Sequence, residues 1–298
     1  MLSILNYITW DVSPFIYEGE YFAISWYGTL WTLGLIGMLV TLLVTFKHDG
    51  VPTQYALITF LLALLFVVYG AHLFQGLFYE WFYVPDLPWN FLGIDWDYRN
   101  YYFDHPWKFI DISRGGFASH GTVLGLILLG YFLSKPFKCN MWYIIDRGMI
   151  GLSFIGASVR LGNLFNSEIY GIETNLPWGF LFNESSTASH PTQIYEMLIF
   201  LIPMICAWGI FFLKDGGSYK GLISGFLMLS VMSLRFMVEF IKLPQMQIEK
   251  NWILNMGQWL SIPYILFGGY MIYYALKNGK QTDMTPQPEI SQRKRKKK

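Results

Sequence analysis

The side chains best suited to chemistry in this sequence stand in or beside long apolar stretches, where an ionisable group is poorly solvated and costly to keep. His120 lies near the start of the stretch Gly115–Ser134, and Arg160 follows Val159 at the end of another. Arg235 and Glu239 stand at i and i+4, one face of a helix. His190 and Glu196 flank the start of Thr192–Leu213. The segment Arg160-Leu161-Gly162-Asn163-Leu164-Phe165-Asn166-Ser167-Glu168-Ile169-Tyr170-Gly171 sets two amides and a carboxylate close behind a guanidinium. A guanidinium matches phosphate oxygens through two parallel hydrogen bonds. With the amides beside it, this segment suits a headgroup carrying both a phosphate and hydroxyls. Gly162 and Gly171 permit backbone turns that a side chain would forbid. An imidazole, titrating near neutrality, suits a general base.

Each group also has a structural reading. Arg235 and Glu239 neutralise one another, Arg160 snorkels to a lipid phosphate, and His120 hydrogen-bonds a neighbouring helix. His190-Pro191 opens a helix, Glu196 is a buried partner for an arginine, and Asn163 and Asn166 cap a turn. Against six separate structural explanations stands one pattern: these groups stand at starts and ends of successive apolar stretches in alternation, so that with seven spans all fall at one leaflet.

Those stretches identify the elements. Of 298 residues, 54% are hydrophobic and 14% charged, well short of the roughly 25% charged residues of a soluble domain, so lipid is the expected solvent. The spans read from the sequence are Thr29–Phe46, Tyr55–Tyr79, Gly115–Ser134, Met141–Val159, Thr192–Leu213, Tyr219–Ile241 and Met256–Leu276. Met141–Val159, with Asp146-Arg147, and Tyr219–Ile241, with Arg235 and Glu239, are the weaker ones, and six is the smaller alternative. The fold expected is an all-α, polytopic membrane bundle of seven helices. It forms a single domain over residues 1–278, with a basic tail over 279–298. With seven spans the loops on the tail side hold thirteen Lys and Arg against six on the other. The excess of positive charge inside puts the C-terminus in the cytoplasm and the N-terminus outside. After a span, the run Arg293–Lys298 reads as a retention signal, not a nucleic-acid patch. Cys139 and Cys206 offer neither a disulfide framework nor metal-ligand spacing, and no metal or cofactor is expected. The first 20 residues contain Asp11, Glu18 and Glu20 but no Lys or Arg, unlike a cleavable leader. The segment 79–114, with Trp81, Tyr83, Trp89, Trp96, Tyr98, Tyr101, Tyr102 and Trp107, reads as an aromatic belt or an arm lying on the periplasmic leaflet.

The segment Arg160–Gly171 resembles the signature of the prolipoprotein diacylglyceryl transferases, close to G-R-x-G-N-F-x-N-x-E-x-x-G. Five further blocks are similar to that family in the same order. They are Ser25-Trp26-Tyr27-Gly28, Gly115–Gly121, His190-Pro191-Thr192-Gln193-Ile194-Tyr195-Glu196, Arg235–Phe240 and Met256–Pro263. The similarity departs at Val159, Leu164 and Ile172, at Lys242 where Arg is common, and at Gln245 where Asp is common. The resemblance implies transfer of the diacylglyceryl group of phosphatidylglycerol to the lipobox cysteine of a prolipoprotein signal peptide. That enzyme would sit in the bacterial inner membrane with its site toward the periplasmic leaflet. The nucleophile arrives with the substrate, so the enzyme needs a base to make the thiolate and cations for the departing phosphate. Arg160 and Arg235 are expected at the phosphate, His120 as the base, and Glu168 and Glu239 as alternative bases or as carboxylates orienting the arginines. Asn163, Tyr27, Asn166, Gly171 and His190 are expected to bind the lipid headgroup, with residues 160–191 as the signature loop. A transporter is disfavoured because the ionisable groups gather at one leaflet and no internal repeat is visible. A lipid-binding scaffold would have no use for His120.

Overall fold

The computed structural model describes residues 7–83, 89–91, 94–96, 98–112, 118–183, 185–243, 253–281 and 284–286. Three short strands lead in: β1 (Ile8–Trp10), β2 (Phe15–Glu18) and β3 (Ala23–Ser25), the last two forming an antiparallel hairpin. Ser25 then caps α1 (Trp26–His48), its hydroxyl accepting a hydrogen bond from the Gly28 amide at 3.0 Å. Next come α2 (Thr53–Phe78), the strand pairs β4 (Trp81–Tyr83) with β7 (Tyr98–Asn100) and β5 (Trp89–Phe91) with β6 (Ile94–Trp96), and the short α3 (Tyr101–Asp104). The remaining long elements are α4 (Ser119–Phe137), α5 (Met141–Phe165), α6 (Thr192–Leu213), α7 (Leu222–Val238) and α8 (Met256–Asn278). A last strand, β8 (Phe180–Phe182), pairs in parallel with β1.

Among the described residues, six helices are long and apolar enough to cross a membrane: α1, α2, α5, α6, α7 with its 3-10 extension to Ile241, and α8. Their outer faces expose Leu61, Leu65, Ile205, Leu213 and Leu266, each about 60% or more accessible, while Asp146, Arg147 and Glu196 are buried. A water-soluble protein does the reverse, so the chain is a multi-pass membrane protein. The helix α4 is not among the six. His120, three glycines and Lys135-Pro136 lower its hydropathy. It still runs the length of the bundle, from Ser119 beside Arg235 to Phe137, whose ring meets that of Tyr55 at the start of α2. The approach of α4 to α2 depends on missing side chains. A Cβ on Gly121 would sit 2.1 Å from the carbonyl oxygen of Gly70, and small residues of this kind let membrane helices close on one another. The helix α5 is central, bordering α1, α4, α6 and α7.

Several boundaries differ from the sequence reading. Helix α5 continues to Phe165, so Arg160 and Asn163 ride on its last turns, and the signature loop starts at Asn166 instead of 160. The stretch 115–117 lies outside the described residues, and α4 begins at Ser119. The expected Tyr219–Ile241 helix opens only at Leu222, because Gly221 adopts a left-handed φ of 75°. The tail does not leave the domain at 279. Lys280 pairs with Asp215 at 2.7 Å, and Met284 is buried, its carbonyl accepting a bond from the Asn140 amide. The basic run 293–298 lies outside the described residues. The expectation that buried ionisable groups gather at one end is also incomplete. At the opposite end of α5, Arg147 donates to Asp49 at 2.6 Å and lies 3.7 Å from the centre of the Tyr143 ring. Next to it Asp146 caps α7, accepting bonds from the amides of Gly221 and Ser224. Both ion and carboxylate are fully partnered, which is how a buried charge is tolerated.

Candidate active site

Helix ends converge at the other end of the bundle. The last turns of α5 carry Arg160, the first turns of α6 carry Glu196, the end of α7 carries Arg235, and the 3-10 turn beyond it carries Glu239 and leads to Lys242. Arg160 Nη1 lies 3.2 Å from Glu196 Oε2, while Arg235 Nη2 and Lys242 Nζ lie 3.7 and 3.6 Å from Glu196 Oε1. Lys242 Nζ also donates to Glu239 Oε1 at 3.0 Å, and Arg235 reaches that oxygen at 3.8 Å. Asn255 Nδ2 holds Glu239 Oε2 at 3.0 Å, and Arg235 Nη1 donates to Ser119 Oγ at 2.8 Å. Like charges this close repel in a poorly solvated setting unless carboxylates intervene. Glu196, 1% exposed, does so for all three cations.

The cluster divides two cavities. One, about 560 Å³, lies among the helices and is walled by apolar side chains such as Met38, Val67, Val123 and Leu227, with Tyr27 at its edge. The other, about 550 Å³, is lined by Gln75, Tyr170, Glu239, Lys242 and Asn255. Arg160, Arg235 and Ser119 line both. An amphiphile spanning the two would set its apolar part in the first and its polar part in the second, with the junction at the two guanidinium groups.

The signature turn is built against this centre. Glu168 Oε1 accepts hydrogen bonds from Asn163 Nδ2 at 2.8 Å and Asn166 Nδ2 at 3.1 Å, and Arg160 Nη1 reaches Asn163 Oδ1 at 3.5 Å. Ser167 and Ile169 adopt left-handed φ values of 51° and 60°. For a β-branched residue such as Ile169 this costs about 1–3 kcal/mol and must be imposed by the surroundings. Two residues of α6 impose it. Thr192 Oγ1 donates to the Ile169 carbonyl at 2.8 Å, and Gln193 Nε2 donates to the Glu168 carbonyl at 2.7 Å. Gly171 follows, pairing with His190 and standing opposite Lys242 in an isolated bridge.

Of the residues singled out in the sequence, Arg160, Arg235 and Glu239 line the polar cavity, and Tyr27 the apolar one. Asn163, Asn166 and Glu168 form one hydrogen-bonded unit beside Arg160. Three expected residues stand elsewhere. His120 is 1% exposed and lines neither cavity; its Nε2 faces Ser261 Oγ at 3.3 Å, and its carbonyl accepts a bond from the Tyr264 hydroxyl. His190 lines neither cavity and sets Nδ1 3.3 Å from the Tyr195 hydroxyl, which accepts from Trp178 Nε1; partial burial lowers its proton affinity. Gly171 serves by having no side chain, since a Cβ there would meet the Ile241 carbonyl oxygen at 2.4 Å and displace the backbone that carries Lys242. The sequence reading named Glu196 only as a possible arginine partner and passed over Ser119, Gln193 and Asn255. The signals for them were slight: a hydroxyl beside His120, and Asn255 with Gln258 as a capping box at the start of α8.

A family model of prolipoprotein diacylglyceryl transferases matches residues 14–274. The chain is 34% identical to the phosphatidylglycerol–prolipoprotein diacylglyceryl transferase of Chloroherpeton thalassium over 275 residues, 91% of this chain and 96% of the relative. It is likewise 34% identical to the enzyme of that name from Porphyromonas gingivalis, with the same shares covered, and 28% identical to that of Bacteroides fragilis, over 92% of this chain and 97% of the relative. This chain therefore belongs to the prolipoprotein diacylglyceryl transferase family.

Proposed function

We propose that the Arg160–Glu196–Arg235 cluster is the centre at which this chain transfers the diacylglyceryl group of phosphatidylglycerol to the lipobox cysteine of a prolipoprotein, the first step of lipoprotein maturation. One observation carries the assignment: two guanidinium groups from different helices meet on one carboxylate at the boundary between an apolar and a polar cavity. The acyl chains occupy the apolar cavity, the headgroup glycerol the polar one, and the phosphodiester the boundary. The cysteine thiolate attacks the glyceryl carbon that carries the phosphate. A C–S bond forms, the C–O bond to phosphate breaks, and glycerol phosphate leaves with the electron pair. Arg160 and Arg235 stabilise the charge that grows on the leaving phosphate, and Asn163 with Glu168 and Asn166 orients Arg160. The thiol proton goes to His120. Its ring turns from Ser261 toward the cavity wall formed by its neighbour Ser119, since hydrogen bonds of a catalytic base are often incomplete until substrate binds. Glu196 is not free for that step, because both its oxygens are taken by the three cations.

Around this centre the chain forms a single membrane domain of seven crossings, the seventh being α4, in the bacterial inner membrane. Supporting this, the site draws together the start of α1, α4, α6 and α8 and the end of α2, α5 and α7, as seven alternating crossings require. The basic asymmetry between the two sides, thirteen against six, supports a cytoplasmic C-terminus. The site then faces the periplasmic leaflet, with the aromatic segment 79–114 as a periplasmic arm and the basic tail in the cytoplasm. The test is direct. Purified protein in detergent, given phosphatidylglycerol and a lipobox peptide, should release glycerol phosphate and add one diacylglyceryl mass to the peptide; the same lipid consumed without peptide modification would refute the assignment.

A further inference from the structure

Resting on that reading of the reaction, the ion-pair network also bears on which lipid is accepted. Among the described residues three cations, Arg160, Arg235 and Lys242, form ion pairs with two carboxylates, Glu196 and Glu239, leaving the paired groups one excess positive charge; Glu168 meets Arg160 only through the Asn163 amide. A phosphodiester whose headgroup is uncharged brings one negative charge and balances it. A zwitterionic lipid brings the same phosphodiester and, a few atoms away, an ammonium that needs a carboxylate of its own. Among the described residues the carboxylate lining the polar cavity is Glu239, and both its oxygens are engaged. Lys242 Nζ holds Oε1 at 3.0 Å and Asn255 Nδ2 holds Oε2 at 3.0 Å. The Lys242 ammonium is buried and also reaches Glu196.

We propose that Lys242 sets headgroup selectivity: its ammonium fills the place on Glu239 and Glu196 that a cationic headgroup would need, so the centre takes a phosphodiester lipid with an uncharged headgroup and refuses a zwitterionic one. Replacing that ammonium with an apolar chain leaves Glu239 Oε1 only the longer contact with Arg235, at 3.8 Å, and removes the excess charge, so a lipid ammonium can enter. The backbone at this point is held independently, by the Ile172 amide donating to the Ile241 carbonyl at 2.9 Å and by the Gly171–Lys242 bridge, so the side chain can be exchanged without releasing the strand.

The test is displacement of radiolabelled phosphatidylglycerol from the purified full-length protein in detergent by unlabelled phosphatidylethanolamine, a reading independent of turnover. Phosphatidylethanolamine should displace the label from Lys242→Met at a concentration about tenfold lower than from the unsubstituted protein, a tenfold change being about 1.4 kcal/mol. Lys242→Arg, which keeps the charge, should behave as the unsubstituted protein does. Coincident curves for Lys242→Met and the unsubstituted protein would overturn the proposal. Should Lys242→Met retain no phosphatidylglycerol, Lys242→Gln, which keeps a donor for Glu239, is measured in the same way, and loss of retention in both overturns a selective role in favour of a structural one. An unsubstituted protein that discriminates between the lipids yet modifies no lipobox peptide would refute the reaction and leave the selectivity standing.

Discussion

Arg160 and Arg235 reach opposite oxygens of Glu196, and neither can be replaced by a lysine without loss of function on this account. Lysine keeps the charge but lacks the planar fork that holds a carboxylate and a phosphate at once. Arg160→Lys and Arg235→Lys should each lower the rate of glycerol phosphate release by about 10²–10³-fold, the usual cost of one misplaced donor at a developing anion. Near-normal rates would show that charge alone suffices. His120→Ala should lower turnover by about 10²–10⁴-fold with phosphatidylglycerol binding largely kept, as expected of a lost general base; turnover close to normal would move that role to Glu168 or to water. Much at this scale was legible in the sequence. Arginines at the ends of apolar stretches announce themselves by their cost, and the structure brings both onto the carboxylate of Glu196. The identity of that carboxylate was not legible. Glu239, one turn from Arg235, and Glu168, a short way beyond Arg160, were nearer in sequence than Glu196. Only the meeting of α5, α6 and α7 puts Glu196 between the two arginines.

At the scale of elements, the centre depends on a strained turn held by a helix start. Thr192 and Gln193 bond the carbonyls of Ile169 and Glu168, so the block His190–Glu196 serves by clamping as well as by supplying Glu196. Gln193→Ala removes a side chain with 0% exposure and leaves the Glu168 carbonyl without that donor, a loss of about 1–3 kcal/mol in a buried setting. The variant should lose activity in greater proportion than it loses thermal stability in detergent, because the turn relaxes and carries Glu168 away from Asn163. Equal losses would mark the clamp as a general packing contact. The sequence predicted the helices from their apolar length and missed the turn's conformation, since nothing in the order Ser167-Glu168-Ile169 calls for left-handed backbone. It also placed the end of α5 too early. Arg160 and Asn163 look like loop residues because they are polar, yet they face an interior that accepts them.

For the whole molecule, the arrangement keeps two groups of buried charge apart, one pinning helices and one at the proposed centre. Arg147, Asp49 and Asp146 pin the end of the bundle where α5 begins and α7 starts, while the cluster on Glu196 sits about 20 Å away along α5, from its thirteen-residue offset at 1.5 Å per residue. The sequence could not distinguish the two, because hydropathy counts a charge without regard to its partners. The proposed orientation rests on the basic asymmetry of the loops. A reporter fused after Lys298 should be active only as a cytoplasmic marker, and activity as an exported marker would put the centre at the wrong leaflet. The central claim is that the two arginines hold the phosphate of the lipid between an apolar and a polar cavity. It is tested most directly by a structure of the protein with phosphatidylglycerol bound. The account predicts a phosphate within hydrogen-bonding distance of both Arg160 and Arg235, acyl chains beside Val67 and Leu227, and the headgroup glycerol toward Asn255. A phosphate bound away from either guanidinium, or acyl chains outside the apolar cavity, would contradict it.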